Sequence, residues 1–206
     1  QMSEWPDGFA HIRGPLEAAS DATLAAFDGL RAVQNGQGDL VAAFRALRYM
    51  PRAQEALYPL VGRLPPVSEF FTEPSLREDA VLAEKLLRPA NEGSGIIHVD
   101  NEPGSRGGYS MYVPEYYSPD RRWPLVMALH GGSGNGRGFL WNWLREARCI
   151  GAILIAPTAS GATWALMGED TDSPNLWRIL EHVRTRWNID PARLLMTGMS
   201  DGGTFC

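Results

Sequence analysis

The chain of 206 residues is 44% hydrophobic and 21% charged, with a formal net charge of -5. This composition suits a globular core shared by one large or two small domains and excludes the disordered and fibrous classes. The acidic balance and the lack of a Lys/Arg run argue against a nucleic-acid partner, and no apolar stretch reaches the roughly 18–20 residues that span a bilayer.

Residues Gln1 to Gly14 read as an irregular lead-in, with Trp5-Pro6-Asp7-Gly8 and then Gly14-Pro15. They hold no apolar core behind a basic head, so no signal peptide is visible. With two cysteines that set no disulfide framework (Cys149 and Cys206), the expected setting is reduced and cytoplasmic. Gln1 is not an initiator, so this expectation covers only the residues given.

From Leu16 to about Val33 the alanine-rich chain places Leu24, Phe27 and Leu30 on a helical spacing, and Gly36 and Gly38 end it. Asp39 is suited to cap a second helix carrying Leu40, Phe44 and Leu47. Pro51 suits the first turn of a third, with Ala53, Leu57, Leu60 and Val61 on one face. Pro65-Pro66 breaks the pattern. Ser75 and Glu78 have capping-box spacing before a helix lined by Leu76, Ala80, Ala83 and Leu87 and ended by Pro89. Residues 1–90 therefore read as a helical region whose apolar stripes are core contacts.

At Asn91 the character changes. Ile96 to Val99 and then Tyr109, Met111 and Val113 read as an antiparallel hairpin. Leu125 to Leu129 is apolar throughout, as suits a strand covered on both faces. A glycine-rich loop follows, then a helix with Leu140, Trp143, Leu144 and Ala147 on one side. Ala152 to Ala156 is the next buried strand. Pro174 opens a helix with Leu176, Leu180, Val183 and Trp187 on one face, and a last strand begins at Leu194. Strands alternating with helices over 91–206 give an α/β class with a mostly parallel sheet.

The last strand runs into Gly198-Met199-Ser200-Asp201-Gly202, which fits G-x-S-x-G, a serine at the tip of a sharp strand-to-helix turn. The positions two before and two after the serine approach closely, and glycine has no Cβ to clash. A second loop, His130-Gly131-Gly132-Ser133-Gly134-Asn135-Gly136, follows an earlier buried strand. Both loops sit at carboxyl ends of strands, where ligands bind in open α/β sheets. Acyl transfer needs a nucleophile and N–H donors aimed at the oxygen that becomes negative. Ser200 is the candidate nucleophile. The backbone N–H groups of Gly132 and Asp201, with Gly131 beside them, are the candidate oxyanion donors. Trp164, Phe139 and Trp141 are candidate pocket walls. Glu169, Asp170 and Asp172 read as capping or solvent-facing residues.

Tyr109 to Pro114, then Pro124 to Gly132, then Asp190-Pro191-Ala192-Arg193 before Thr197 to Gly203, resemble the α/β-hydrolase fold. Within it the phospholipase/carboxylesterase group is the most similar. The resemblance covers about residues 94–206. It implies the first five strands of an eight-stranded sheet, an acyl-enzyme on Ser200, no cofactor, and a small-molecule ester or thioester as substrate. It also implies an acid and a histidine that follow the serine in the chain. All four histidines, His11, His98, His130 and His182, precede Ser200. The chain is therefore expected to be the first part of a longer enzyme, inactive alone, with its elbow strand left as an exposed edge.

Other readings fit less well. Gly131 to Gly136 has P-loop spacing, but Arg137 and Gly138 stand where lysine and Ser/Thr are required. Metal-ligand spacing is absent, so no metal is expected. A non-catalytic module acting through residues 1–90 is the alternative, and those residues are open as a cap, a lid or a homo-oligomer surface.

Overall fold

The computed structural model describes residues 8–87 and 90–206, so the Trp5-Pro6-Asp7 part of the lead-in and the helix stop at Pro89 lie outside the described residues. The chain divides into two compact units, 1–70 and 71–206. The division falls at Phe70/Phe71, whereas the composition changes at Asn91. The reason is that the segment after Phe70 is bonded into the second unit. The buried Arg148 guanidinium donates to the Phe71 carbonyl and Thr72 Oγ1, and the Glu73 N–H donates to Cys149 Sγ.

The first unit is helical. It contains α1 (Ala10–Gln34), α2 (Leu40–Leu47), α3 (Tyr49–Leu57) with a 3-10 turn at Tyr58–Leu60, and α4 (Pro65–Phe70). Asp39 caps α2 by accepting the Ala42 N–H at 2.9 Å, as its position predicts. Two boundaries differ from expectation. α1 begins at Ala10 and runs through Gly14-Pro15. Pro15 is the sixth residue of α1, so it removes the bond that its N–H would otherwise make to the His11 carbonyl, and the helix continues on the bonds of its other residues. Pro65-Pro66 starts α4 instead of breaking the pattern, because first-turn N–H groups have no intrahelical partner to lose.

The stripe expected of the third helix is core at Ala53, Leu60 and Val61, whereas the stripes of α1 and α2 are mostly not. Leu24 and Phe27 are each 60% exposed, and Leu40, Phe44 and Leu47 are exposed as well. Between α1, α2 and α3 small residues take the interior, with Ala19, Ala26, Ala46 and Ala53 buried, while Leu60, Val61 and Val67 are buried further along the unit. α1 packs along α2 and α3. A Cβ on Gly29 would come within 2.6 Å of the Ala46 Cβ, so α1 and α2 cross too closely for larger side chains.

The second unit opens with a 3-10 turn at Pro74–Leu76 and α5 (Ala80–Leu86). The cap of α5 is Asp79, not Ser75, and its carboxylate accepts from Val81 and Leu82. Leu82 and Leu86 form the buried face, while Leu87 is exposed.

The sheet contains β1 (Gly95–Val99), β2 (Tyr109–Val113), β3 (Trp123–Leu129), β4 (Ile153–Pro157) and β5 (Ile189–Gly198), in the order β1-β2-β4-β3-β5. β1 and β2 form the expected antiparallel hairpin, and β2 is also antiparallel to β4. β4, β3 and β5 are mutually parallel, so the sheet is mixed. Its helices are α6 (Gly136–Phe139), α7 (Leu144–Ile150), α8 (Asp172–Arg186) and α9 (Asp201–Phe205). The continuous apolar runs are buried as their pattern requires, with Ala128, Leu129 and all of Ile153 to Ala156 at 0% exposure.

β5 starts five positions before the expected Leu194 because it carries an irregularity. Ile189 pairs with Trp123, and the next pairing is Leu194 with Leu125. The residues between fold on themselves: Asp190 accepts from the Ala192 N–H and the Arg193 guanidinium. β5 is at one end of the strand order, with Leu194, Leu195 and Met196 exposed.

Candidate active site

β3 and β5 are adjacent and parallel, so their carboxyl ends deliver two turns to one place. The β5 turn carries Ser200 at φ 53°, ψ -121°, a backbone conformation rarely tolerated outside glycine. Its neighbours explain how it is held. A Cβ on Gly198 would strike the backbone of Gly202 and Gly203, and one on Gly202 would strike the carbonyl of Leu129. Main-chain bonds close the turn: Met199 N–H donates to the Leu129 carbonyl and Gly202 N–H to the Met199 carbonyl.

The glycine loop after β3 faces this turn. A Cβ on Gly131 would be 3.5 Å from the Ser200 Cβ, and one on Gly132 would be 2.6 Å from Asp201 Oδ2. Gly132 and Ser200 are exposed. The sequence-selected residues Ser200, Asp201, Gly131 and Gly132 thus meet. Among the described residues, the N–H groups of Gly132 and Asp201 have no acceptor in the protein.

The aromatic residues expected as pocket walls are packing residues instead. Trp164 is 2% exposed, lies between His130 and Phe205, and donates its indole N–H to the His130 carbonyl at 2.7 Å. Phe139 and Trp141 are also buried, and Trp141 packs against Phe71. Large rings at the foot of a glycine loop are drawn into the core by the apolar area they hide.

The histidines do not serve Ser200. His130 is buried, with Nδ1 at 2.7 Å from the Gly131 carbonyl and Nε2 accepting the Ala159 N–H at 3.1 Å. Those two bonds require a neutral ring protonated on Nδ1, and burial pushes its pKa below the usual value. His98 bonds to Ser110 and His182 to Tyr109, while His11 lies in α1 of the other unit. Among the described residues, the side-chain partner of Ser200 is Asp201, whose Oδ1 accepts the hydroxyl at 3.3 Å.

Sequence reasoning missed two residues. Thr163 donates its hydroxyl to Asp201 Oδ2. Asp172 is neither a cap nor solvent-facing. It is 1% exposed and accepts the Ser160 N–H on one oxygen and the Ala165 N–H on the other. It holds the loop after β4 against the two turns, and the Ser133 N–H adds a bond to the Ala162 carbonyl. Asp170 does cap, accepting from Asp172 and Ser173. A depression of about 360 Å³ in the helical unit is lined by Gly29, Ala32, Ala46 and Tyr49 among others. Among the described residues no group of His, Cys, Asp and Glu could hold a metal ion, and no helix is long and apolar enough to cross a membrane.

No family model matches the chain. A bifunctional acetylxylan esterase/xylanase from Neocallimastix patriciarum is 27% identical over 108 residues, which are 50% of this chain and 16% of that protein. Among solved structures, a thermostable esterase matches 53% of this chain and 35% of its own, with 23% identity and a TM-score of 0.42. An acetyl xylan esterase from Aspergillus awamori matches 53% and 44%, at 20% identity and a TM-score of 0.43. An S-formylglutathione hydrolase from Staphylococcus aureus matches 53% and 50%, at 17% identity and a TM-score of 0.41. The chain therefore spans half or less of the length of each of these relatives. Over about half of its residues it is similar to these proteins, three of which are named as esterases.

Proposed function

We propose that the protein is a serine-dependent hydrolase of carboxylic esters or thioesters. Ser200 Oγ attacks the substrate carbonyl carbon, and its proton passes to a general base. The carbonyl oxygen becomes an oxyanion received by the N–H groups of Gly132 and Asp201, with Gly131 holding the loop against the serine. The alcohol or thiol then departs with a proton, and water releases the acid from Ser200. Loss of one oxyanion donor costs about 10²–10³ in rate. No metal or cofactor enters this scheme.

The observation that carries the reading is the backbone of Ser200, φ 53° at the tip of a strand-to-helix turn facing two glycines. Strain of this kind is kept where the surroundings require it. The phospholipase/carboxylesterase character belongs to the same reading. Because none of the four histidines bonds to Ser200, the base in this scheme is a histidine outside residues 1–206, oriented by an acid that is also outside them. The 206-residue chain by itself is then inactive.

Hydrolysis of a short p-nitrophenyl ester by the full-length protein tests this. Ser200→Ala is expected to lower kcat by about 10³-fold or more. Unchanged turnover in that variant would remove Ser200 from the mechanism.

A second reading rests on the helical unit. Its exposed Leu24, Phe27, Val41 and Phe44 suit residues 1–90 as a homo-oligomer surface, with the hydrolase fold as a non-catalytic scaffold. A monomer by sedimentation together with Ser200-dependent esterase activity would discard it.

A further inference from the structure

We infer that Asp201 selects substrates by charge: its carboxylate, braced beside Ser200, disfavours esters whose acyl part is anionic. This rests on the hydrolase reading above. Three contacts locate the group. Oδ1 accepts the Ser200 hydroxyl at 3.3 Å, Oδ2 accepts the Thr163 hydroxyl, and Oδ2 would sit 2.6 Å from a Cβ on Gly132. The carboxylate therefore stands between the nucleophile and the loop whose N–H groups would meet the carbonyl oxygen.

Among the described residues no side-chain cation is bonded to this carboxylate, and Arg106, an arginine at the glycine loop, is bonded to the Gly134 carbonyl instead. Both bonding partners are hydroxyls, and among the described residues Asp201 has no ion pair with a lysine or arginine. His130, the nearest buried imidazole of the loop, is held neutral by its two hydrogen bonds. Nor is the side chain free to swing away, because Thr163 belongs to the loop that Asp172 fixes through Ser160 and Ala165. A substrate anion bound near Ser200 meets a like charge, while a neutral acyl group does not.

The test uses two p-nitrophenyl esters with acyl chains of equal length, butyrate and the succinate half-ester, on the full-length protein. The readout is the ratio of kcat/KM for succinyl over butyryl. Any effect of a variant on Ser200 geometry or on the oxyanion is common to both esters and cancels in the ratio. Asp201→Asn should raise the ratio by about three- to fivefold at low ionic strength. In the unmodified protein the ratio should climb with added salt, and in the folded variant it should stay flat. An unchanged ratio in folded Asp201→Asn, or a salt-independent ratio in the unmodified protein, overturns the inference. Ser200→Ala run in parallel separates the two levels: activity surviving in it on both esters rejects the hydrolase reading itself, whatever the ratio does.

Discussion

The two units solve burial in opposite ways. In the sheet unit large apolar residues form the core, with Met111, Leu129, Leu144 and Ile155 at 0% exposure. In the helical unit Ala19, Ala26, Ala46 and Ala53 fill the space between α1, α2 and α3, and Leu24, Phe27, Leu40 and Phe44 are outside, although Leu60 is buried. Hydrophobicity predicts the inside only where spacing between elements is set by side-chain size. Parallel strands flanked by helices leave a layer about 10 Å thick that large side chains fill. Helices that cross as closely as α1 and α2 at Gly29 and Ala46 admit only small ones.

This contrast can be broken first where the sheet unit is most committed. Arg148 is fully buried, and Glu115 accepts its Nε at 3.0 Å while also accepting the Tyr112 hydroxyl at 2.7 Å. Glu115→Ala leaves the guanidinium buried without its counter-charge, so a loss of about 3–5 kcal/mol in unfolding free energy is expected by denaturant titration. A loss under about 1 kcal/mol would mean that water reaches Arg148.

A smaller effect comes from His130. Its folded pKa lies below the ordinary 6.5, so the unfolded chain binds its proton more readily. The stability contributed by the neutral ring is complete above pH 6.5 and is lost as pH falls through 6.5 toward the folded value. Six of the seven tryptophans lie in the sheet unit, so tryptophan fluorescence follows that unit as pH is lowered. His130→Asn, which keeps a donor but does not titrate there, should flatten the profile between pH 7 and 5.

The smallest effect is expected in the other unit. Phe27→Ser on the exposed face of α1 should change stability by no more than about 0.5 kcal/mol. A loss above about 2 kcal/mol by the same titration would place Phe27 in a buried contact and erase the contrast.

The sheet, the two glycine loops and the meeting of Ser200 with Gly131 and Gly132 were legible because each depends on local constraints: continuous apolar runs and glycines at positions where a Cβ would collide. The stripes of α1 and α2 misled because period alone does not say which face is crowded, while that of α3 and the turn after it is core at Ala53, Leu60 and Val61. Arg148 was not legible, since Leu144-Arg145-Glu146-Ala147-Arg148 offers no reason to bury one arginine, and its partner is 33 positions away. Thr163 and Asp172 were hidden for the same reason: their roles exist only once β3, β4 and β5 are side by side. Trp164 was misplaced as a wall because its indole N–H finds a carbonyl inside the core.

The loop from Ser160 to Ala165 has one more consequence. It is joined to the β3 turn through Ala162 and Trp164, to the β5 turn through Thr163, and to the start of α8 through Asp172. Most of the disorder such a loop could lose to a ligand has already been lost in folding. Association at Ser200 then carries little ordering cost on that side, and the stiffness of the rim works in favour of recognition.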